Sequence, residues 1–296
     1  MKVIPPVTIS DAAYISGPAE TDHAAYAAGT TYAAGDRVIR TGTHRIYESL
    51  QAGNVGHTPE SSPTWWLDVA PTNKWACLDA KIGTATTQAS PLAITLAPGA
   101  ITGLALLELV GTSVTVAMTN GAGGPTVYTH TASLEGSMPS DWLEYFTLAF
   151  EQLTELVLTD LPPYASGRIT VTLTGGASVS IGVLAVGVAV EIGTVLRPAS
   201  MGITDYSRKT TDDFGNTVLT ERAYARRATL SLTVPKADTA RVFRKLAGLR
   251  ATPAIWIGSD EADYSGLVVY GWPRDWAIEV TYRTHSMVSL QIEGLT

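Results

Sequence analysis

Alternating apolar and polar residues dominate the middle of the chain. In the runs Leu92–Leu96 and 169–173, hydrophobic side chains fall at every second position, which is the period of a strand with one buried face. Turn residues separate such runs at intervals of roughly 8–12 residues, which is typical of a β-sandwich. The run 182–190 is apolar at nearly every position and predicts a strand buried on both faces. Further predicted strands are 104–110, 114–118, 127–130, 156–158 and 179–181.

One aromatic stretch in this region fits two kinds of element. Trp142, Tyr145, Phe146 and Phe150 lie close to positions i, i+3, i+4 and i+8. That spacing places them on one face of a helical turn. Polar residues interrupt them often enough to permit a strand as well, so the pattern leaves both alternatives open.

The last third of the chain combines strands with one helix. Polar arms on either side of Gly215-Asn216 predict a long charged hairpin over 205–222. Helical spacing predicts a helix over 236–249. Its expected apolar stripe consists of Ala240, Phe243, Leu246 and Ala247. Strands are predicted at 228–234, 254–258, 266–270, 276–282 and 287–292.

The first region is a compact aromatic stretch. Short strands are predicted at 37–40 and 44–50, between turn signals at Gly35-Asp36 and around Gly42. A unit with two or three short strands buries little aliphatic surface. Its tyrosines and tryptophans must therefore supply most of the core.

Shifts in composition and charge divide the chain near residues 75 and 194. The predicted fold is mainly β, with three domains. A small aromatic-rich β module covers 1–75, a jelly-roll-like β-sandwich covers 76–193, and an α+β domain with the long hairpin and the one helix covers 194–296. The middle outline resembles the jelly-roll sandwiches that often serve as carbohydrate-binding or virion-decorating domains.

Composition and charge exclude several classes of protein. Of the 296 residues, 45% are hydrophobic and 16% are charged, which excludes a disordered chain and argues against a helical bundle. The net charge of −7 is opposite to that of a general nucleic-acid binder. It is uneven: region 76–193 holds two basic and nine acidic residues, whereas region 194–296 has an excess of two basic residues. No apolar run approaches the ~20 residues of a membrane span, and no signal peptide begins the chain, so synthesis in the cytoplasm is expected.

Few residues point to catalysis or to a cofactor. The five histidines lack ligand spacing and Cys77 is the single cysteine, so neither a metal site nor a disulfide is expected. The nucleophile motif Gly-x-Ser-x-Gly is absent. Glycoside cleavage needs two carboxylates that are often distant in sequence. The densest acidic group is Asp141, Glu144, Glu151 and Glu155, for which a solvated acidic face is the alternative. We therefore expect a non-enzyme without cofactors.

The aromatic stretch of the first region resembles a known family. The order of Tyr26, Tyr32, Gly35-Asp36-Arg-Val38, Gly42, Tyr47, Gly56-His-Thr-Pro59 and Trp65-Trp66 is similar to that of small chitin-binding modules, carbohydrate-binding module families five and twelve. The resemblance covers about residues 24–69, with Tyr26 in place of the usual first Trp. It implies that Tyr26 and one of Trp65 or Trp66, together with Tyr47, stack on sugar rings. The alternative is that Tyr32, Tyr47 and one tryptophan form the core of a docking or spacer domain.

The third region resembles the C-terminal half of tail and baseplate proteins of long-tailed bacteriophages. The runs that carry the likeness are Ile203-Thr-Asp-Tyr-Ser, Asp213-Phe-Gly-Asn, Arg222-Ala-Tyr-Ala-Arg-Arg227, Tyr270-Gly-Trp-Pro-Arg-Asp275, Thr284-His-Ser-Met287 and Ile292-Glu-Gly-Leu295. Such domains form rings at the tail tip. The resemblance implies a structural virion protein at the phage tail tip, assembled with itself and with other tail proteins.

Two other functions remain as alternatives. One is a tail protein that contacts a host-surface glycan, and the other is an enzyme that degrades polysaccharide. If the protein is a structural component of the tail tip, the hairpin region forms the contact between subunits, because both signs of charge occur there. DNA is an alternative partner for its arginines. The expected interface residues are Arg208, Lys209, Asp212, Asp213, Leu219, Arg222, Tyr224, Arg226 and Arg227.

Overall fold

The computed structural model describes residues 1–136, 141–147, 152–211, 213–259 and 266–295, except for the side chain of Tyr145. Two α-helices are α1, Trp142–Thr147, and α2, Thr239–Gly248, and 3-10 turns cover Pro59–Ser61, Ala76–Leu78 and Lys236–Asp238. The strands are β1 Lys2–Ile4, β2 Tyr14–Ser16, β3 Arg37–Arg40, β4 Arg45–Ser49, β5 Trp66–Pro71, β6 Thr86–Ala89, β7 Leu92–Leu96, β8 Gly103–Val110, β9 Ser113–Asn120, β10 Thr126–Ser133, β11 Leu156–Leu158, β12 Gly167–Thr174, β13 Ser178–Gly187, β14 Val190–Glu191, β15 Thr194–Asp205, β16 Arg208–Thr211, β17 Thr217–Thr220, β18 Tyr224–Pro235, β19 Ala254–Ile257, β20 Val268–Glu279 and β21 His285–Gly294. The mainly β fold expected from the pattern is confirmed.

Eight strands, β6 to β13, form a two-sheet sandwich. One sheet has the order β6-β13-β8-β11, and the other has the order β7-β12-β9-β10 with β2 added beside β7. Counted along the chain, these orders are 1-8-3-6 and 2-7-4-5, which is the strand order of a jelly roll. Side chains such as Ile94, Leu106, Val116 and Leu184 fill the space between the sheets.

A seven-stranded antiparallel sheet with one packed helix makes up the third region. Its order is β14-β1-β19-β20-β21-β18-β15. Trp256 and Leu290 lie in its core, where Val242 and Leu246 of α2 pack against them. The indole Nε1 of Trp256 donates a hydrogen bond to the carbonyl oxygen of Gly271 at 2.9 Å, which satisfies its buried polar atom.

The first strands of the chain do not fold with the small module. β1 pairs with β14 and β19 of the seven-stranded sheet, and β2 pairs with β7 of the jelly roll. The domain boundary expected at residue 75 therefore places residues 2–16 in the small module, although β1 and β2 pair with strands of the other two domains. The boundary expected at 194 likewise separates β14 from the sheet to which it belongs. Local pattern does not reveal these pairings, because the partners are distant in sequence.

The jelly roll and the seven-stranded sheet share a core. Ile4 of β1 packs with Leu107 and Val183 of the jelly roll and with Ile255 and Tyr270 of the sheet. β13 is therefore buried on both faces, as its apolar run predicts, because one face lines the sandwich and the other lines this shared core. The predicted strands 179–181 and 182–190 form this one strand as far as residue 187.

The small module contains the three strands β3-β4-β5. Tyr32, Val38, Tyr47 and Trp66 form its core, which confirms that aromatic side chains replace aliphatic ones in so short a unit. Trp66 donates its Nε1–H to the carbonyl oxygen of His57 at 2.8 Å.

Two predicted elements change in detail. The aromatic stretch adopts the helical alternative as the six-residue helix α1, and Phe150 lies outside the described residues. Helix α2 buries Val242 and Leu246, of which Leu246 belongs to the expected stripe, whereas Ala240 and Phe243 of that stripe are exposed. The expected stripe is corrected accordingly. Both faces of the helix carry apolar residues at helical spacing, and the face that contacts the sheet is the buried one.

Candidate functional site

Two of the aromatic residues expected to stack on sugar rings belong to the module core. Tyr47 is 7% exposed and Trp66 is 2% exposed. The ring of Trp66 meets that of Tyr32 edge-on, with centroids 5.1 Å apart. Neither residue can offer a ring face to a sugar, so the glycan-binding role is corrected to the core alternative for both.

Tyr26 is half-buried and its ring is engaged by neighbours. The guanidinium of Arg40 lies 5.4 Å from the ring centroid, and Tyr32 stacks at 6.0 Å. The hydroxyl is buried without a hydrogen-bond partner among the described residues. These contacts suit a supporting role at the edge of the core better than an open stacking surface.

Trp65 is the candidate that keeps an accessible ring. It is half-buried and stacks on His57, with centroids 4.1 Å apart and an angle of 12° between the planes. His57 is half-buried as well. The pair forms a flat, partly exposed surface at the end of the loop before β5. His57 was missed as a candidate, since seven intervening residues give no sign that the two rings meet.

His44 connects the module to the N-terminal segment. Its Nε2 lies 2.7 Å from Asp11 Oδ1 and its Nδ1 lies 3.1 Å from Glu20 Oε1. Its ring stacks on Trp75 at 4.2 Å. The hydroxyl of Thr72 donates to the same Glu20 oxygen at 2.8 Å. This network holds the β3–β4 turn in place, and its partners are too far apart in sequence for any motif to reveal them.

The hairpin predicted over 205–222 is present, and each of its described residues is exposed. β16 and β17 pair only with each other, and all their residues are exposed. Lys209 lies directly opposite Leu219, and Arg208 lies opposite Thr220. Asp213 and Arg222 are exposed beside them. Asp212 lies outside the described residues.

A tight turn connects this hairpin to the seven-stranded sheet. The backbone N–H of Ser207 donates to Asp205 Oδ1 at 2.8 Å. This hydrogen bonding from Ser207 lowers the pKa of the Asp205 carboxyl. The N–H of Arg222 donates to the hydroxyl of Ser207 at 3.1 Å. The turn orders the base of the hairpin without burying any of its strands.

The arginines at the base of the hairpin have different environments. Arg226 Nη1 lies 2.9 Å from Glu155 Oε2 in the jelly roll and 3.4 Å from the carbonyl oxygen of Val268. Arg226 thus has a counter-ion in its own chain, and its expected role in pairing with a neighbouring subunit stays a prediction. Arg227 and Tyr224 are exposed, as an interface role requires.

Two members of the acidic group considered for glycoside cleavage have other partners in the structure. Asp141 Oδ1 accepts the backbone N–H of Glu144 at 2.8 Å and so caps α1. Glu155 binds Arg226, and Glu151 lies outside the described residues. Within the described ranges, no three His, Cys, Asp or Glu side chains are grouped to hold a metal ion.

A cleft of about 470 Å³ lies between the jelly roll and the seven-stranded sheet. Its walls are mainly apolar, with Leu107, Val110 and Val268 among them. Glu108 adopts a φ of 53° on this wall, and its carboxylate accepts the N–H of Gly83 at 3.2 Å. The cleft separates the two domains above their shared core.

No protein-family model matches the chain, and no curated protein matches it. Among the described residues, no helix has both the length and the apolar character needed to cross a lipid bilayer.

Proposed function

We propose that the protein is a structural component of a bacteriophage tail tip or baseplate, located in the virion. In this proposal its third region assembles with copies of itself into a symmetric ring and contacts other tail proteins. The module and the jelly roll are carried as glycan-binding-like domains, and the protein catalyses no reaction. The sequence resemblance of the third region to tail proteins suggests this role.

The exposed hairpin is the observation that supports the proposal best. Phe214 at its tip is 91% exposed, and Val218 and Leu219 on β17 are exposed as well. An isolated two-stranded hairpin is only marginally stable in water. Val218 and Leu219 are successive residues of β17, so each face of the hairpin exposes an apolar side chain. The hairpin therefore suits a contact with another protein chain better than a surface facing solvent.

Mass spectrometry of purified virions tests the proposal directly. We expect peptides of this chain at a fixed stoichiometry with the other tail proteins. Electron microscopy of virions labelled on this protein should place the label at the tail tip. Absence of the chain from virions with complete tails would exclude the proposed role.

Contact with a host-surface glycan is the second candidate function. The partly exposed stack of Trp65 on His57 favours it, because the apolar faces of sugars pack on flat rings. Titration with chitin oligomers and cell-wall polysaccharide should change the tryptophan fluorescence. Trp65→Ala should abolish the change, whereas Trp142→Ala, at an exposed site in another domain, should retain it. Equal binding by both variants would contradict a site at Trp65.

A further inference from the structure

Helix α1 presents an apolar surface on the jelly roll. Trp142, Leu143 and Phe146 are 77%, 71% and 78% exposed. The rings of Trp142 and Phe146 are nearly parallel, at 24°, with centroids 6.5 Å apart. We call these three residues the aromatic patch. An exposed surface of this kind is unusual on a protein that has no partner.

The charge around the aromatic patch specifies the chemistry of a partner. Asp141 and Glu144 lie on the same helical turn, and region 76–193 contains only Lys81 and Arg168 as basic residues. An acidic rim around an apolar centre favours a partner with apolar side chains and positive charge. It also disfavours binding to an anionic lipid surface.

The hairpin of β16 and β17 has both of these properties. Val218 and Leu219 provide exposed apolar side chains. Lys209 lies directly opposite Leu219, so a positive charge and an apolar group are neighbours on one face of the hairpin. Arg208 precedes Lys209 on the same strand. The positive charge of β16 is local to Arg208 and Lys209, since Asp212 and Asp213 follow them in the sequence.

We propose that the hairpin of one copy packs on the aromatic patch of a second copy. Leu219 contacts Leu143, and Lys209 approaches the acidic rim beside Glu144. Hairpin and patch are different surfaces, so the contact is head-to-tail, and repetition of such a contact closes a ring when the rotation permits. This inference rests on the proposed function and adds to it the surface that receives the hairpin.

Disulfide cross-linking between two variants tests the contact. Leu143→Cys and Leu219→Cys chains are purified separately, mixed, and oxidised with copper phenanthroline. Native Cys77 should not compete, because it is buried and burial raises the pKa of its thiol to about 11. We expect a dimer that contains one chain of each variant. Thr129→Cys, at an exposed position on β10, replaces Leu143→Cys in the control and should give no such dimer with Leu219→Cys.

A charge exchange gives a second measurement on the same contact. Leu143→Lys and Leu219→Glu should each weaken association about ten-fold or more, because each buries an unpaired charge. Chains that carry both substitutions should regain association, because the lysine of one copy then meets the glutamate of the next. Light scattering over a concentration series measures all three. Loss of association in the double variant equal to the sum of the single losses would contradict direct contact.

The outcomes separate this contact from the proposed function. Oligomers that form without the mixed disulfide would overturn the contact and leave ring assembly intact. A protein that stays monomeric and uncross-linked would also overturn the contact, whereas its presence in virions is decided independently by mass spectrometry. Binding of neutral phosphatidylcholine vesicles that Leu143→Lys abolishes, without a mixed disulfide, would assign the patch to a lipid surface instead.

Discussion

Arg226 illustrates how a single charged residue connects two domains. Its counter-ion Glu155 is 71 residues away and lies in the jelly roll. Several acids close to Arg226 in sequence are equally plausible partners, so local pattern cannot identify the one that folding brings near. The pair is partly exposed on both sides, and its contribution to stability is therefore modest.

We expect Glu155→Gln to lower the free energy of unfolding by at most about 1 kcal/mol, because solvent screens a partly exposed ion pair. A double-mutant cycle with Arg226→Gln, measured by urea unfolding, isolates the interaction between the two side chains. Glu135→Gln, at an exposed acid in the same region, is the matched control. A coupling energy of zero would show that the pair contributes nothing.

Cys77 predicts how stability changes at alkaline pH. Burial raises the pKa of its thiol from an ordinary value of 9.0 to about 11. The folded protein thus holds this proton more tightly than the unfolded chain does. The stabilisation is complete below about pH 9 and is lost as the pH rises through 11.

Cys77→Ala should therefore flatten the decline in unfolding free energy between pH 9 and pH 11 by about 1–3 kcal/mol. Urea unfolding at several pH values measures it. Burial also raises the pKa of the Tyr270 hydroxyl to about 12. Its titration should preserve part of the decline in unfolding free energy in both the variant and the parent. Identical pH profiles for the variant and the parent would contradict a titrating thiol.

At the scale of elements, helix α2 shows where periodicity is ambiguous. Val242, Leu246 and Leu249 face the sheet, whereas Phe243 is exposed and meets Trp276 edge-on at 5.3 Å. Both sets have helical spacing around Leu246. Sequence therefore predicts that a helix exists more securely than it predicts which side is buried.

The two faces of α2 should respond differently to truncation. Val242→Ala leaves a cavity in the sheet core, and Leu246→Ala leaves a larger one that should cost about 2–5 kcal/mol. Phe243→Ala removes one aromatic contact, worth about 1 kcal/mol. Thermal or urea unfolding distinguishes them. A larger loss for Phe243→Ala than for Val242→Ala would favour the face expected from the sequence.

The hairpin is the element whose removal should separate folding from assembly. Replacing residues 207–222 by a short Gly-Ser linker leaves the pairing of β15 with β18 intact, since that ladder ends at Asp205 and Tyr224. We expect a folded, soluble protein with an unchanged circular dichroism spectrum in the β region that no longer enters virions. Normal incorporation of the deletion variant would exclude a role of the hairpin in assembly.

At the scale of the whole molecule, strand β1 belongs to the sheet of the last domain. β1 lies between β14 and β19, and the terminal amino group donates to the carbonyl oxygen of Gly193 at 2.7 Å. In chain order, β1 and β14 are the first two strands of the seven-stranded sheet. The module and the jelly roll therefore form an insertion between them. The sheet of the third region is therefore complete only when β1 pairs with β14 and β19.

Ile4→Ala should consequently destabilise the protein far more than is usual so near an N-terminus. Ile4 is fully buried in the core shared by the two domains, and its truncation should cost about 2–5 kcal/mol. Val7→Ala, at an exposed position three residues later, should have little effect. Similar unfolding midpoints for the two variants would show that β1 is dispensable.

The sequence by itself determined most elements of secondary structure. Strands β7, β9, β12 and β21 follow from alternation, because a strand with one face on a core exposes and buries successive side chains regardless of its partner, whereas β13 follows from its continuous apolar run. Separate predictions merge where a strand continues through an irregularity, as at Pro273 in β20, where the register with β21 shifts. The jelly-roll outline follows from the number and spacing of its strands.

Only the tertiary structure decided which side chains are available for binding. Trp65 and Trp66 are adjacent in sequence, and the position of the core buries Trp66 and leaves Trp65 half-buried. The same holds for Arg226 and Arg227 on β18. It also decided that Val3 and Ile4 belong to a sheet formed by residues almost 190 positions away. Alternation specifies that one face of a strand is buried, but the burying surface comes from distant residues.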